Sequence, residues 1–97
     1  MSLSQAQKKA FRSIGHHLNP VVTVSENGVS ENLLAELNRA LTDHELIKVK
    51  VPTDDKEEKA LIMDAIIRET ESVKVQAIGH VLILFRPSEE RKIQLPK

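Results

Sequence analysis

Residues 20–31 read PVVTVSENGVSE, and this stretch decides the fold that the sequence predicts. The β-branched residues at 21–24 favour a strand, because branched side chains fit a pleated sheet. Asn27 and Gly28 tolerate the positive φ of a sharp reversal, and Ser30 is a suitable N-cap for a following helix. The stretch therefore predicts a strand, a tight loop and a helix in direct succession. Backbone amides at such a corner can receive an anion such as phosphate.

Hydrophobic periodicity predicts two further helices and three further strands around this corner. Ser4 with Gln7 and Asp54 with Glu57 form capping-box patterns that start the outer two helices. The dipeptide Gly79-His80 predicts a two-residue turn that joins the last two strands as an antiparallel hairpin. The expected elements are a helix from Ser4 to near Gly15, a strand at 21–25, a helix at 31–42, a strand at 46–51, a helix from 54 to about 71, and strands at 73–78 and 81–86.

The apolar spacing of each helix indicates its buried side, and alternation does the same for the strands. In the strand 46–51, three branched residues point to one face, and Lys48 and Lys50 point to the other. These lysines have two interpretations. They contact nucleic acid, or they lie on an exposed edge strand and prevent it from aggregating. The first helix also carries Lys8, Arg12 and His16 at every fourth position. The helix residues expected to face inward are Ala6, Ala10, Phe11 and Ile14; Leu33, Leu34, Leu37 and Leu41; and Leu61, Ile62, Ala65 and Ile66.

The element order α-β-α-β-α-β-β predicts the α/β class, with the helices packed on a four-stranded mixed sheet as a compact sandwich. A chain of 97 residues can enclose one modest hydrophobic core. We expect residues 1–97 to form a single domain, with 88–97 as a loosely held tail. Such a domain is too small for a substrate cleft between two lobes.

A formal net charge of zero hides a strong separation of charge along the chain. Residues 1–19 contain three Lys or Arg and no Asp or Glu, and residues 79–97 contain four Lys or Arg and two Glu. Residues 20–78 contain seven Lys or Arg and twelve Asp or Glu. If the fold brings the two basic ends together, they form one cationic face of the kind that a nucleic-acid backbone requires. The alternative is a scatter of charges that keeps a small domain soluble.

The composition argues against several classes of function. The absence of cysteine excludes disulfides and thiolate chemistry and fits a reducing cytoplasm, and no apolar run is long enough to suit a membrane span. The sequence contains two phenylalanines, Phe11 and Phe85, and no Trp or Tyr. A surface that stacks several bases is therefore not expected. If this protein binds nucleic acid, contacts to backbone and shape should therefore dominate.

Three clusters of polar residues could indicate chemistry, and each has a simpler interpretation. His16 and His17 are adjacent and point in different directions, which favours a cationic role at a helix end over a metal site. The carboxylates at 54–58 suit a helix N-terminus better than a divalent cation. Residues 43–45, Asp-His-Glu, have no nucleophile beside them. We therefore expect no catalysis, no metal and no cofactor.

Five segments of the chain share one pattern with a known family. They are the basic first helix and residues 18–22, 27–30, 44–50 and 78–87. In register, these segments resemble the bacterial YhbY proteins, which are single-domain members of the CRM (chloroplast RNA splicing and ribosome maturation) domain family. The resemblance covers essentially the whole chain. It implies RNA binding and, for the single-domain bacterial members, association with precursors of the large ribosomal subunit.

The family carries a GxxG loop between its first strand and second helix, placed like the loop with which KH domains clamp a nucleotide backbone. The matching residues here are Ser25-Glu26-Asn27-Gly28, so a serine replaces the first glycine. The Ser25 side chain narrows the approach to the loop, although its hydroxyl can donate to a phosphate, and Glu26 adds a negative charge. The amides of Asn27 and Gly28 are expected to face phosphate, and the departure at Ser25 shifts more of the binding onto the basic helix.

The sequence and the resemblance together predict a cytoplasmic, monomeric RNA-binding protein that associates with large-subunit precursors and assists ribosome assembly. No membrane contact and no small-molecule substrate are expected. The alternative is a protein–protein interaction module that uses the acidic central surface, and a small hydrolase is disfavoured because no nucleophile–base set is present. The residues expected to bind RNA are Lys8, Lys9, Arg12, His16, Ser25, Asn27, Gly28, Lys48, Lys50, Arg86, Arg91 and Lys92.

Overall fold

The computed structural model describes residues 3–88 of the chain. The observed order of elements confirms the predicted succession, although α2 ends two residues later than predicted and β1 is shorter. Residues 89–97 of the predicted tail lie outside the described residues, and so do Arg91 and Lys92. The elements are α1 (Gln5–His16), β1 (Val22–Thr23), α2 (Glu31–His44), β2 (Leu46–Lys50), α3 (Lys56–Thr70), β3 (Val73–Ile78) and β4 (Val81–Phe85).

The four strands form one mixed sheet in the order β1-β2-β4-β3. β1 is parallel to β2, whereas β4 is antiparallel to both β2 and β3. The turn at Gly79-His80 joins β3 to β4 as predicted, with Gly79 at a φ of +56°. β2 is a central strand, because it pairs with β1 on one side and β4 on the other. The edge-strand interpretation of Lys48 and Lys50 is therefore wrong.

Helices cover both faces of the sheet, and each face has its own hydrophobic core. The alternation predicted for β2 is confirmed, since Ile47 and Val49 belong to one core and Leu46 to the other. Under α2 and α3 the buried residues are Val22, Val24, Leu33, Leu37, Leu41, Ile47, Val49, Val51, Met63, Ile66, Leu82 and Leu84. Under α1 they are Leu3, Phe11, Leu46, Val75, Ile83 and Phe85.

Side-chain caps begin all three helices. Ser4 and Gln7 form the predicted capping box of α1, and the Ser30 hydroxyl accepts from an amide in the first turn of α2 at 3.1 Å. α3 is capped by Asp55 instead of the predicted Asp54. The Asp55 carboxylate accepts from two amides of the first turn, which places the start of α3 one residue later.

α1 is rotated about its axis relative to the prediction, although Phe11 is buried as predicted. Ala6 is exposed and Ile14 is 45% exposed, whereas Phe11 and Gly15, one turn apart, are buried. A Cβ at Gly15 would lie 2.9 Å from two side-chain carbons of Ile83 in β4, so only glycine lets the helix come this close. The contact at Gly15 therefore determines the rotation of α1.

The buried side of α3 also differs from the prediction. Leu61 is 71% exposed, although its spacing with Ile62 and Ala65 predicts an inward position. Ile66 is buried as predicted, and the other buried residues of this helix are Met63 and Thr70. At about 100° per residue, Leu61 lies about 200° around the helix from Met63, so both side chains cannot reach the same core.

Candidate nucleic-acid interface

α1 carries basic side chains and no acidic one. Lys9, Arg12 and His16 are exposed, and Lys8 is half-buried at the border of the side that contacts the sheet. The first carboxylate of the chain is Glu26, beyond the end of α1. At about 1.5 Å per residue, the row from Lys8 to His16 extends about 12 Å along the helix axis. We refer to these four residues of α1 as the basic ridge.

Specific contacts hold the basic ridge against the sheet. The rings of Phe11 and Phe85 are stacked with their centroids 4.6 Å apart, beside the close approach at Gly15. The Lys48 ammonium donates to the carbonyl oxygen of His16 at 3.2 Å. A cation is favoured at this point, because the last carbonyls of a helix carry a partial negative charge. The position of the ridge is therefore set by packing within the fold.

Lys50 is an exposed basic residue of β2 beside the start of the loop 25–28. It is exposed on the same face of β2 as Lys48 and lies about 7 Å farther along the strand. The backbone N–H of Val24 donates to the Lys50 carbonyl oxygen at 2.9 Å, so the loop begins directly beside Lys50. The lysines of β2 thus have separate roles: Lys48 holds α1 in place, and Lys50 extends the basic surface.

The loop 25–28 is closed by its own hydrogen bonds. The Gly28 N–H donates to the Ser25 carbonyl oxygen at 3.0 Å, and the Asn27 N–H donates weakly to the Ser25 hydroxyl oxygen at 3.4 Å. Both amides thus point to Ser25 within the loop. Gly28 has a φ of +67°, which confirms the positive φ predicted there, and a Cβ at Gly28 would meet no atom within 4 Å.

The serine in place of the first loop glycine causes no backbone strain. Within residues 3–88, the non-glycine residues with positive φ are Glu45 and Glu71, so Ser25 has a conformation open to any residue. The loop exposes the side chains of Ser25, Glu26 and Asn27. A cleft of about 310 Å³ beside the loop is lined in part by Glu26, and its other carboxylates come from the β2–α3 connection and α3. This acidic side of the loop disfavours phosphate.

Arg86 joins two helices to the end of the sheet. Its guanidinium donates to Asn38 Oδ1 at 2.7 Å, to the Asn38 carbonyl at 3.0 Å, to the Thr70 carbonyl at 2.9 Å and to Thr42 Oγ1 at 3.2 Å. These bonds use all four N–H groups of the two terminal nitrogens. Since Asn38 and Thr42 lie in α2 and Thr70 ends α3, Arg86 ties the carboxyl ends of both helices to the end of β4.

The structure thus sorts the predicted site residues into groups. The basic ridge lies on α1, Lys50 lies on β2 beside the start of the loop 25–28, and Arg86 is hydrogen-bonded to α2 and to the end of α3. The sequence analysis missed Gly15 and the capping role of Lys48. The spacing of Gly15, four residues after Phe11 in an otherwise regular helix, was a signal for close packing. No sequence signal indicated that Lys48 caps α1.

The described part of the chain contains neither a metal-binding cluster nor a membrane-spanning helix. Across residues 3–88, no three His, Asp or Glu side chains are grouped so that they could hold a metal ion. In the same range, every helix is too short or too polar to cross a lipid bilayer.

Comparison with known families agrees with the resemblance found in the sequence. Residues 3–86 match the CRS1/YhbY (CRM) domain. The chain belongs to this CRM family. A Haemophilus influenzae relative named "RNA-binding protein" is 56% identical over 96 residues, which cover 99% of this chain and 97% of the relative. The Bacillus subtilis "Probable RNA-binding protein YqeI" is 38% identical over 95 residues, which cover 97% of this chain and 99% of YqeI.

A solved structure confirms the fold of this CRM domain. The solution structure of SAV1595 from Staphylococcus aureus, described as a candidate RNA-binding protein, aligns with a TM-score of 0.83 at 32% identity. The alignment covers 98% of this chain and 100% of SAV1595. The three helices on a four-stranded mixed sheet are therefore the family fold.

Proposed function

We propose that this CRM protein binds ribosomal RNA in precursors of the large ribosomal subunit and assists their assembly. It acts in the cytoplasm as a monomeric, single-domain binding protein, without catalysis or cofactor. Family membership supports RNA as the ligand, since related proteins of nearly the same length carry the name of RNA-binding proteins. The large-subunit precursor as the target rests on the resemblance to the bacterial single-domain members.

The observation that carries the proposal is the basic ridge of α1. Lys9, Arg12 and His16 project from an acid-free helix, and Lys50 continues the basic surface toward the loop 25–28. Basic side chains that contact phosphates release condensed counterions, and this release supplies much of the free energy of binding to a nucleic acid. The surface needs no bound cofactor to attract RNA.

The loop 25–28 plays the smaller part in this proposal. Its two inward amides are used within the loop, so its contacts to RNA come from the exposed side chains of Ser25 and Asn27. Glu26 and the acidic cleft beside it repel phosphate and define where the RNA backbone ends on this surface. Binding energy therefore comes chiefly from α1 and Lys50.

Sedimentation of an extract from cells that make this protein tests the proposal. We expect an antibody against the protein to detect it with precursors of the large subunit, and high salt to release it. A variant with glutamate at Lys8, Lys9 and Arg12 should remain near the top of the gradient. The proposal fails if the unaltered protein also remains there at low salt.

The same gradient separates RNA binding from the alternative of a protein-interaction module on the acidic surface. If RNA is the ligand, ribonuclease treatment and high salt both release the protein. If the acidic surface binds another protein, the association survives ribonuclease, and reversal of the α1 charges leaves it intact.

A further inference from the structure

We infer that the RNA bound by this protein is base-paired, and that the basic ridge contacts the phosphates of a double-helical stem. The inference rests on the proposed function, because it specifies the class of RNA that the same surface binds. It depends on three features of the described residues: where the aromatic rings lie, what lines the clefts, and how rigidly the basic ridge is held.

The surface offers no aromatic platform for unpaired bases. The chain contains no Trp or Tyr, and both of its phenylalanines are buried against each other in the core under α1. The exposed rings of His16 and His17 are nearly perpendicular, at 79°, so they present no flat surface for two successive bases. Proteins that bind single strands without sequence preference obtain much of their affinity from bases that stack on aromatic rings. Phe, Tyr and Trp provide no such contribution at this surface.

Three clefts of the described residues do not match the path of an unpaired strand either. A single strand is usually held in a groove lined with cations. The cleft beside the loop has carboxylates and no Lys or Arg in its lining, and a cleft between α1 and the start of β1 is lined mainly by apolar residues such as Ile14 and Val21. A third cleft, beside α2, contains Arg39 together with Glu36 and Asp43. The exposed ridge residues Lys9 and Arg12 line none of these three clefts.

The basic ridge instead lies on a helix whose backbone is held firmly against the sheet. α1 is about 18 Å long, and the Phe11 stack, the Gly15 contact and Lys48 hold it to the sheet. Basic side chains on a fixed helix backbone favour phosphates that are also ordered, because a flexible strand loses conformational freedom when it adapts to the protein. Double-helical RNA supplies such phosphates, and it is recognised mainly through shape, phosphates and 2′-hydroxyl groups. The ridge therefore fits a stem better than an unpaired strand.

Fluorescence anisotropy with two labelled RNAs tests this inference. One RNA folds into a hairpin, and the other has the same length and base composition in an order that prevents pairing, so both carry the same number of phosphates. We expect the hairpin to bind about tenfold more tightly at equal salt. We also expect replacement of Lys8, Lys9 and Arg12 by glutamate to remove this preference, whereas glutamate at Lys56, Lys59 and Arg68 of α3 preserves it. Circular dichroism establishes that both variants are folded.

The outcomes distinguish this inference from the proposed function. Equal or tighter binding of the unpaired RNA by the unaltered protein overturns the assignment of paired RNA and leaves RNA binding in place. Failure to bind either RNA at low salt overturns both. If the α3 variant loses the preference for the hairpin as fully as the α1 variant does, the ridge is not the surface that selects paired RNA.

Discussion

The two faces of the sheet are built in different ways. Under α2 and α3, twelve buried hydrophobic side chains form a broad core, whereas six form the core under α1. α2 and α3 together carry seven acidic and four Lys or Arg residues, whereas α1 carries three Lys or Arg residues and no acidic one. The face that carries most of the hydrophobic core is therefore acidic, and the basic surface lies on the helix with the smaller core.

This difference shows how a small domain can separate stability from binding. α1 depends on a few shape-specific contacts, namely the Phe11–Phe85 stack, the approach at Gly15 and the Lys48 cap. Its exposed cations make none of these contacts. Substitutions of the cations should therefore change affinity, and substitutions of the contact residues should change stability.

Charge reversal on α1 has the largest expected effect. Replacing Lys8, Lys9 and Arg12 by glutamate should lower RNA affinity about hundredfold, or about 2.8 kcal/mol, because repulsion replaces attraction at three positions. Fluorescence anisotropy measures the loss, and the melting temperature should stay close to that of the unaltered protein.

The matched control reverses three charges on the opposite face, at Lys56, Lys59 and Arg68 of α3. Its affinity should fall a few-fold at most, because charges farther away than about 8 Å are largely screened at physiological salt. Equal losses in the two variants would show that net charge, and not the α1 surface, governs binding.

Removal of the Arg86 guanidinium should destabilise the fold and leave binding unchanged. Arg86→Met removes four hydrogen bonds that connect α2, α3 and β4. We expect a loss of about 2–3 kcal/mol in the free energy of unfolding, measured by urea denaturation. Arg68→Met, at a side chain that is 72% exposed, is the control and should cost less than about 0.5 kcal/mol. Weaker RNA binding with unchanged stability would return Arg86 to the binding surface.

A side chain at Gly15 should displace α1 from the sheet. Gly15→Val places a branched side chain where a Cβ alone would lie 2.9 Å from Ile83, and overpacking of this kind costs about 2 kcal/mol. Ser13→Val, at an exposed position of the same helix, is the control for the low helix propensity of valine. Thermal melting should separate the two variants. If they melt alike, the close approach at Gly15 does not hold α1 in position.

The smallest expected effect is at the loop. Gly28 has a φ of +67° with open space around it, so Gly28→Val should cost only the strain of a left-handed backbone, about 1 kcal/mol. Gly28→Asn should cost less, because asparagine tolerates this conformation. Melting temperatures and RNA affinities of both variants test this order. A valine variant as stable as the asparagine variant would contradict the role of φ.

Short-range patterns explain why much of the fold could be predicted. The branched run at 21–24, the Ser4 capping box and the Gly79-His80 turn each specify local geometry within a few residues, and the structure contains all three elements. The basic character of α1 was equally visible, because it depends only on composition.

The errors concern contacts between distant segments. The spacing of Phe11 and Gly15 does not identify Ile83 as the partner, so the inward side of α1 was predicted correctly at Phe11 and wrongly at Ile14. The role of Arg86 depends on Asn38, 48 residues earlier. The position of β2 in the middle of the sheet follows from strand order, which the alternation of Lys48 and Lys50 does not encode.

The dependence of RNA affinity on salt tests most directly the claim that the basic ridge binds phosphate. A plot of log affinity against log salt concentration has a negative slope, and its magnitude decreases by about 0.9 for each phosphate contact removed from a duplex. If the ridge makes three such contacts, replacing Lys8, Lys9 and Arg12 by glutamine should reduce the slope by about 3. The same neutral substitutions at Lys56, Lys59 and Arg68 should leave the slope unchanged. A slope that is identical in all three proteins, or that falls only in the α3 variant, would contradict the assignment of the RNA-binding surface to α1.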